Sequence, residues 1–218
     1  MVFLLRSRRD ITAAEVAGFV ARDYPTLLEV GCHHGEDTEK LLQAMPTATI
    51  FCFEADPRAI AAFEGRLGGE RRATLIPKAV AAHDGTCPWF ASGGIVRGRE
   101  WDYSSSLRRP TEHRTRFPEI QFHEAGEVPC TTLDSWLRGL GRPLEQIDFL
   151  WADVQGAQRD LIAGGQATLA LTRYLYIEVH REPLYEGEIE LAELLSLVPE
   201  FQPVGRYAEN ALLKNGRR

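Results

Sequence analysis

Two glycines and an acidic residue near the N-terminus have the types and spacing of a nucleotide-binding turn. The stretch TLLEVGCHHGED (residues 26–37) places Gly31 and Gly35 between a strand-forming segment and a helix-forming one. Glycine costs backbone entropy on folding, so this pair indicates a sharp turn or the close approach of a ligand. Glu54 follows Gly31 by 23 positions, where an acidic side chain accepts hydrogen bonds from a ribose diol.

The charges around this turn separate the possible ligands. Dinucleotide sites use G-x-G-x-x-G, in which backbone amides and a helix N-terminus hold a pyrophosphate. This chain reads E-V-G-C-H-H-G, with His33 where that pattern has its second glycine and with Glu36 and Asp37 opening the helix. Carboxylates there repel a pyrophosphate and tolerate a cation. The pattern predicts S-adenosylmethionine, which carries ribose, adenine, a sulfonium and an ammonium but no phosphate; a tight turn without a ligand is the alternative.

Methyl transfer to an alcohol also needs a group that accepts the hydroxyl proton. Asp153, Glu178 and His180 follow or end two predicted strands, and the last two project from the same strand face if the strand continues. We favour His180 as the base, because an unperturbed pKa of ~6.5 suits proton transfer near neutrality. Two alternatives stay open. Glu178 and His180 bind each other or an arginine, or all three residues hold a divalent cation; the cation is not the favoured reading.

A segment of irregular pattern, residues 92–124, is predicted to form a lid or an acceptor-binding insertion at about 92–125. It contains six arginines and three acidic residues between positions 97 and 116, a net charge of +3 in a chain of −6. Arg108 and Arg109 are therefore predicted to bind an anionic acceptor, such as a phosphorylated or nucleotide-linked sugar. Tyr103 and Ser105 are candidates for hydrogen bonds to the acceptor. A solvated basic loop is the alternative.

The elements that must position these residues alternate along the chain. Strands are predicted at 26–30, 48–54, 73–77, 147–154 and 173–179, with helices between them, a hairpin around Asp84-Gly85 and a second hairpin at the C-terminus. This order predicts one α/β domain over residues 1–218, with a mainly parallel, doubly wound sheet and helices on both faces. The candidate residues then lie at the carboxyl ends of the strands, where such sheets bind ligands.

Composition excludes several other classes of protein. The net charge of −6 disfavours indiscriminate nucleic-acid binding. The four cysteines are scattered without a C-x-x-C pair, which indicates reduced thiols and a cytoplasmic location. The N-terminal MVFLLRSRRD is too short in its apolar run for a signal peptide or a membrane span. We expect a protein that has a small-molecule partner and no nucleic-acid or membrane partner; its oligomeric state is unknown.

Several stretches together resemble the FkbM-type methyltransferases, which depend on S-adenosylmethionine and mostly methylate hydroxyl oxygens. The resemblance runs from about residue 26 to 187 and is carried by LLEVGCHHGEDT, FCFEADP, KAVAAHDGT, YSSSL, VPCTTLDSWL, IDFLWADVQGAQRDLIAGG and YIEVH. It implies a Rossmann-like class I fold with seven strands, the last one antiparallel. That fold agrees with the C-terminal hairpin predicted from the sequence.

The resemblance also implies roles for individual residues. Glu29, Gly31 and Gly35 would contact the methionine part of the cofactor, Glu54 its ribose, Ala79 and Val80 its adenine, and Asp153 would face the reaction centre. His33 would lie beside the cofactor. The family often reads K-I-D-V-E-G-A-E at the fourth strand, whereas this chain has Gln155 and Gln158 at the two glutamate positions. Neither position can then supply a base or a carboxylate ligand.

Two other functions remain as alternatives. A nicotinamide-dependent oxidoreductase would need the third phosphate-binding glycine, which is missing. A non-catalytic nucleotide-binding domain on the same fold stays open, because a fold does not fix a function.

Overall fold

A large sheet supports the site. The computed structural model describes residues 5–7 and 9–218. The strands in chain order are β1 (Leu5–Ser7), β2 (Thr26–Val30), β3 (Thr49–Phe53), β4 (Ala73–Ile76), β5 (Ala79–Val80), β6 (Gly85–Gly93), β7 (Ile95–Val96), β8 (Arg99–Glu100), β9 (Gln121–Thr131), β10 (Ile147–Ala152), β11 (Thr172–Glu178), β12 (Phe201–Tyr207) and β13 (Asn210–Asn215). Within the described ranges, eight of them form one sheet in the order β1-β12-β13-β11-β10-β2-β3-β4.

Helices cover both faces of this sheet. They are α1 (Ala13–Val20), α2 (Glu36–Ala44), α3 (Pro57–Leu67), α4 (Glu112–Arg116), α5 (Leu133–Gly139), α6 (Gln158–Ala163), α7 (Gln166–Leu171) and α8 (Leu191–Leu197). Apolar residues of α1, α2 and α3 share one buried cluster with the sheet, and those of α5 to α8 share another. The first turn of α1 is fixed by a capping box, in which Thr12 and Glu15 each accept from the other's backbone N–H.

The predicted fold class is confirmed. The central strands pair in parallel, and β13 runs antiparallel between β11 and β12. The seven predicted strands are extended at one edge by the short β1, which pairs in parallel with β12. In the part of the chain that the structure describes, no helix combines the length and the apolar character needed to cross a bilayer. The N-terminal prediction concerns MVFLLRSRRD, of which residues 1–4 and 8 lie outside the described residues.

Strand register brings the predicted site residues together. Val30 pairs with Phe53 on one side and with Ala152 on the other, so β2, β3 and β10 end at the same level. The residues that follow these ends are Gly31, Glu54 and Asp153. Parallel pairing therefore explains why residues more than a hundred positions apart in sequence share one edge of the sheet.

The predicted hairpin around Asp84-Gly85 is wrong. β5 and β6 do not pair with each other; β9 lies between them, parallel to β5 and antiparallel to β6. The Asp84 carboxylate accepts from the Thr131 hydroxyl (2.7 Å), the Thr132 amide (3.1 Å) and the Ser135 hydroxyl (2.6 Å). These bonds hold the turn against the end of β9. In a two-residue hairpin, β5 and β6 would pair directly, and β9 could not lie between them.

The segment 92–124 has more regular structure than its sequence pattern predicts. It contains the end of β6, the small β7–β8 hairpin, helix α4 and the first residues of β9. The apolar period of this segment is hard to read because its strands and helix are short and many of its residues are exposed. Ser106 bridges back to Phe90, so the segment folds over the sheet formed by β5, β9 and β6.

Candidate active site

A first cavity of about 680 Å³ opens at the common end of β2, β3 and β10. Six of the predicted cofactor residues line it: Gly31, His33, Glu54, Ala79, Val80 and Asp153. The predicted acceptor residues Tyr103 and Ser105 line it as well. Eight of the residues that line this cavity were thus predicted from separate segments of the sequence.

Glu54 is held in the cavity wall by backbone amides. Its Oε1 accepts from the amides of Ala55 (2.7 Å) and Asp56 (2.8 Å), and its Oε2 accepts from the amide of His33 (2.9 Å). Burial raises the pKa of Glu54 above its usual value, while these three N–H donors oppose that rise. The carboxylate is thereby fixed in direction and keeps acceptor capacity on Oε2 for a ligand hydroxyl.

The two glycines of the turn are required mainly by the protein itself, which corrects the first reading of the sequence. Gly31 has φ +82°, and a Cβ there would lie 2.0 Å from the carbonyl oxygen of Asp153. Gly35 has φ +78°, and a Cβ there would lie 2.8 Å from the ring of Phe63. Gly31 still borders the first cavity, whereas Gly35 packs the start of α2 against α3 and does not line it.

Glu29 also lies outside the lining of the first cavity. Its side chain is buried behind the turn and accepts a hydrogen bond of 2.5 Å from the hydroxyl of Thr38 in α2. Burial raises the pKa of Glu29 to about 8. The residue therefore ties β2 to α2 beneath the turn, and a direct contact with the methionine part of a cofactor remains a prediction.

The far wall of the first cavity is apolar. Ala79 and Val80 of β5 are buried and lie with Trp89 of β6 along the lining. An apolar wall with an indole fits the flat, weakly polar surface of an adenine ring. Trp89 is buried in one cluster with Ala79 and also lines the cavity, so it both packs and shapes the wall.

A clasp joins the turn after β2 to the segment that covers the cavity. Asp102 places Oδ1 2.9 Å from Nε2 of His33 and Oδ2 2.9 Å from Nε2 of His34. The two imidazoles stack at 3.7 Å between centroids, and the Tyr103 ring lies 4.0 Å from His33. Burial lowers the pKa of His33, with Asp102 acting in the opposite direction. We call these three residues, His33, His34 and Asp102, the clasp.

Ser105 fixes the same segment from the other side. Its hydroxyl lies 3.1 Å from Oδ2 of Asp56, to which it donates, and accepts from the backbone amide of Ser92 (3.0 Å). Asp56 also caps α3 and binds the guanidinium of Arg58. Ser105 thus has protein partners that hold the segment in place, and its contact with an acceptor remains a prediction.

Arg108 and Arg109 do not line the first cavity, and the prediction that they bind an anionic acceptor is not supported. The Arg108 guanidinium forms an ion pair with Asp160, and Arg109 pairs with Glu124 at 2.8 Å while lying over the ring of Phe90. Both guanidinium groups are therefore neutralised by acidic partners that sequence spacing does not reveal.

A buried carboxylate pair lies at the other end of the first cavity. The side-chain amide of Gln155 donates to Oδ1 of Asp153 and to Oε2 of Glu178 (3.0 Å), so it bridges the two acids. The hydroxyl of Tyr185 donates in turn to Oε1 of Gln155 (2.8 Å), which fixes the orientation of the amide. Burial raises the pKa of Asp153 well above its usual value, and the charge of Glu178 adds to the rise.

His180 is a poor candidate for the base, contrary to the prediction from its type. Its Nδ1 lies 2.6 Å from Oε1 of Glu188, and its Nε2 lies 3.4 Å from Oε1 of Glu178. Burial lowers its pKa, but the bonds to the two glutamates outweigh burial and raise it to about 10. At neutral pH the imidazole is already protonated. His180 also lies outside the lining of the first cavity.

The alternative in which Asp153, Glu178 and His180 hold a divalent cation does not fit these contacts. The amide of Gln155 donates hydrogen bonds from the place between the two carboxylates where a cation would lie. His180 directs one ring nitrogen away from Asp153 to Glu188. The hydrogen-bond donors that face the two acids are thus protein groups, the amide of Gln155 and the imidazolium of His180.

A second cavity, of about 1190 Å³, shares the lining residue Asp153 with the first. It is lined by the start of α1, by α2, by the ends of β10 and β11 and by the β12–β13 turn. Its acidic lining residues in the described chain are Asp10, Asp37, Asp153, Glu178 and Glu209, against one lysine, Lys40, which pairs with Asp37 at 2.8 Å. Trp151 and Asn210 complete a polar, negatively charged pocket.

Several residues of the site were missed in the sequence. Asp102, Tyr185 and Glu188 lie in segments without a period. Asp102 and Tyr185 contact distant segments, whereas Glu188 contacts Leu184 and His180 nearby in the chain. Gln155 was noted only as a departure from the family pattern. A polar residue just before the stretch YSSSL, or in the irregular segment around Leu184, carries no signal of its own in a single sequence.

Comparisons with known proteins agree with this geometry. The family described as "Methyltransferase FkbM domain" matches residues 21–204. The 2-O-methyltransferase NoeI of Sinorhizobium fredii (strain NBRC 101917 / NGR234) is 36% identical over 205 residues, which are 92% of this chain and 84% of that protein. A putative O-methyltransferase from Klebsiella pneumoniae superposes with a TM-score of 0.52 at 12% identity, covering 94% of this chain and 81% of that one. The last likeness concerns the fold alone.

The first cavity and these relatives lead to one conclusion, and they leave the oxidoreductase and the silent binding domain without support. The chain belongs to the FkbM methyltransferase family and is an O-methyltransferase that uses S-adenosylmethionine.

Proposed function

We propose that this enzyme methylates a hydroxyl of a neutral, polyhydroxylated acceptor, such as a sugar-containing metabolite, which binds in the second cavity. The observation that carries the proposal is the position of Asp153, which lines both cavities. A group at that junction contacts a donor on one side and an acceptor on the other. The reaction centre then lies where the two cavities meet.

The residues of the first cavity fit S-adenosylmethionine, which supplies an activated methyl group on a sulfonium when it is bound. Glu54, oriented by three backbone amides, accepts from the ribose. Ala79, Val80 and Trp89 border the adenine. Gly31 borders the same cavity and packs against the carbonyl of Asp153. Direct contacts of Glu29 and Gly35 with the methionine part are not needed in this arrangement.

Asp153 takes the hydroxyl proton of the acceptor. In the free enzyme its carboxyl holds a proton more firmly than an ordinary aspartic acid, because it is buried beside Glu178. A cation placed next to it favours the ionised form and lowers its pKa. Asp153 is then a carboxylate while the donor is cationic and becomes a carboxylic acid when the donor has turned neutral. Asp153 thus holds the proton that leaves the hydroxyl, and the total charge is the same before and after the transfer.

Glu178 and His180 support this carboxylate without contacting the acceptor hydroxyl. The imidazolium of His180 lies between Glu178 and Glu188 and offsets the charge of the carboxylate pair. Gln155 holds the two acids at a fixed separation through its amide. We assign His180, Glu188 and Gln155 positioning roles, and we assign proton transfer to Asp153.

The lining of the second cavity supports a neutral acceptor in place of an anionic one. Its carboxylates would repel a phosphate, and they accept hydrogen bonds from hydroxyl groups. The indole of Trp151 is partly exposed at the edge of the cavity and offers an apolar surface for the ring of a sugar. The name of the relative NoeI specifies an oxygen at a position numbered 2, which fits an acceptor with several similar hydroxyls.

Substituting Asn210 tests where the acceptor binds. Asn210 lies in the second cavity, where its side-chain amide donates to Asp10 (3.0 Å), and it is remote from Glu54. We expect Asn210→Ala to raise the KM of a hydroxylated acceptor while the KM of S-adenosylmethionine stays the same. A panel of neutral sugars and their phosphorylated forms supplies the acceptor. A change in the KM of the donor alone would place the donor, and not the acceptor, in the second cavity.

The remaining expectations are parts of the same proposal. Residues 92–125 form a lid over the first cavity, fastened by the clasp, within one methyltransferase domain. Tyr103 and Ser105 line the first cavity from this segment, so in this arrangement they lie on the donor's side, and a contact of either with the acceptor stays a prediction. A cytoplasmic location without a nucleic-acid or membrane partner stays a prediction from the composition.

A further inference from the structure

Three metal-ligating side chains converge behind the wall of the first cavity, away from the reaction centre. Nε2 of His83 lies 3.9 Å from Sγ of Cys87, and the ligand atoms of His83, Cys87 and Cys130 all lie within 4.8 Å of one another. Both thiols are buried and free, whereas His83 is exposed. No step of methyl transfer uses any of the three.

Strand pairing, not chance proximity, brings the two thiols together. Cys87 of β6 lies opposite Val128 of β9, and Cys130 is the next residue of β9 on the same face. The residue opposite Cys130 is Gly85, which has no side chain and has open space where a Cβ would lie. The imidazole of His83 reaches toward Cys87 from the turn just before Gly85. Two ligands are therefore fixed on paired strands and the third on the turn that joins them.

We infer that His83, Cys87 and Cys130 form a binding site for a thiophilic divalent cation of the Zn²⁺ type. Two thiolates and an imidazole are a ligand set that Zn²⁺ takes, with bonds of about 2.3 Å to sulfur and about 2.0 Å to nitrogen. Tetrahedral bonds of those lengths put nitrogen and sulfur about 3.6 Å apart, close to the 3.9 Å between His83 and Cys87. A shift of a few tenths of an ångström brings this pair to the bonding distance, and the other two pairs of ligand atoms lie within 4.8 Å.

The fourth position of the site is open to solvent. Asp84 is the nearest acid along the turn, but its carboxylate is already engaged by Thr131, Thr132 and Ser135. Cys130 borders a surface cavity together with Gly85, which gives an ion and a water molecule access from outside. Binding requires both thiols to lose their protons to solvent, so metal affinity increases with pH.

The location of the site gives it an effect on the fold. Cys87 and Cys130 pack in one cluster with Ala79 and Trp89, which line the first cavity. An ion held by β6, β9 and the turn cross-links the small sheet that carries the adenine wall. Ion binding to the native state alone stabilises that state by mass action.

Titration with metal alone tests the inference. The full-length enzyme, kept reduced with a phosphine, is titrated with Co²⁺ and then with Zn²⁺ in competition with a chromogenic chelator. We expect one ion per chain, a thiolate-to-cobalt charge-transfer band in the ultraviolet, and a higher Tm with Zn²⁺. His83→Gln and Cys87→Ser should weaken Zn²⁺ binding at least about tenfold, because even an outer-shell partner is typically worth ~10–100-fold.

The chain offers a matched control and a competing site. Cys52→Ala removes a buried thiol on another strand, without a histidine ligand, and should leave Zn²⁺ binding unchanged. His83→Gln alters only an exposed side chain, so its loss of binding is not a loss of fold. Binding without a charge-transfer band, or binding lost in Asp102→Asn and retained in Cys87→Ser, would assign the ion to the clasp and overturn the inference. Absence of any Zn²⁺ binding tighter than millimolar would overturn it as well.

Discussion

The two carboxylates at the ends of the first cavity are held in opposite ways. Glu54 is oriented by backbone amides, two from the residues that follow it and one from the turn after the neighbouring strand. Asp153 is held by side chains, directly by Gln155 and indirectly by Glu178 and Tyr185. The first arrangement follows from strand pairing and gives a fixed, charged acceptor. The second depends on a network whose protonation can change, which is what a proton-accepting group requires.

The strongest test of this contrast is Asp153→Asn. The amide keeps the shape of the side chain but cannot take a proton, and a positioned base typically contributes ~10²–10⁴-fold. We expect kcat to fall by that factor, with little change in the Kd of S-adenosylhomocysteine. Single-turnover kinetics and calorimetric titration measure the two quantities. A loss in kcat smaller than about tenfold would mean that another group takes the proton.

The charge of the network is tested through stability. His180 has a pKa of about 10 in the folded protein, above the ordinary value of 6.5, so its contribution to stability is fully present below pH 6.5 and is lost as the pH rises through about 10. His180→Asn keeps a donor toward Glu188 but removes the charge. We expect this variant to be less stable by roughly 2–4 kcal/mol at pH 6, since one pKa unit corresponds to about 1.4 kcal/mol.

The comparison that matters is the difference between wild type and His180→Asn in urea unfolding at several pH values. That difference should shrink between pH 6.5 and pH 10. A difference independent of pH would show that His180 stabilises by packing and that the carboxylates have no cationic partner there.

Glu54→Gln tests the other carboxylate. Its side-chain amide would place a donor against a backbone N–H and would lose a charged acceptor, an interaction worth about 1.5–3 kcal/mol. We expect the Kd of S-adenosylhomocysteine to rise about 10- to 100-fold, with kcat at saturation nearly unchanged. This outcome is the reverse of that for Asp153→Asn. If both variants changed the same parameter, the assignment of donor binding to Glu54 and of proton transfer to Asp153 would be wrong.

The smallest expected effect concerns the clasp. Asp102→Asn keeps the shape of the side chain but removes the charge that faces His33 and His34, and a partly exposed pair of this kind contributes about 0.5–1 kcal/mol. We expect the Kd of S-adenosylhomocysteine to rise about 2- to 5-fold. Arg109→Gln, in the same segment, changes an exposed pair outside the cavity and serves as the matched control. Equal effects of the two variants would speak against a lid fastened by Asp102.

The sequence predicts the arrangement around Glu54 better than that around Asp153, for a physical reason. The strand ends and the distance from Gly31 to Glu54 are local features. They can be read in the sequence as apolar periods and turn residues. The predicted strands and most helices are accordingly found in the structure. The requirement for Gly31 was foreseen, although its cause is the carbonyl of Asp153 and not only a ligand.

The failures have a common origin in side-chain and strand contacts that leave no pattern in the sequence. Arg108 was read by its charge, but its partner Asp160 lies 52 positions away. His180 was read by its ordinary pKa. Against the effect of burial, the bonds to Glu178 and Glu188 raise that pKa, and these bonds give no pattern in the sequence. The Asp84-Gly85 pair has the composition of a hairpin turn, yet β9 inserts beside it. Side-chain partners are set by the folded chain, so residue type alone misassigned these positions.

The most direct test of the account is the proton released when the donor binds. Isothermal calorimetry of S-adenosylmethionine and S-adenosylhomocysteine, in buffers of different ionisation enthalpy, counts protons released on binding. At a pH below the raised pKa of Asp153, we predict that S-adenosylmethionine displaces close to one proton more than S-adenosylhomocysteine, and that Asp153→Asn abolishes the difference. Equal proton release by the two ligands in the wild type would contradict the central claim that Asp153 ionises beside the cationic donor and accepts the hydroxyl proton.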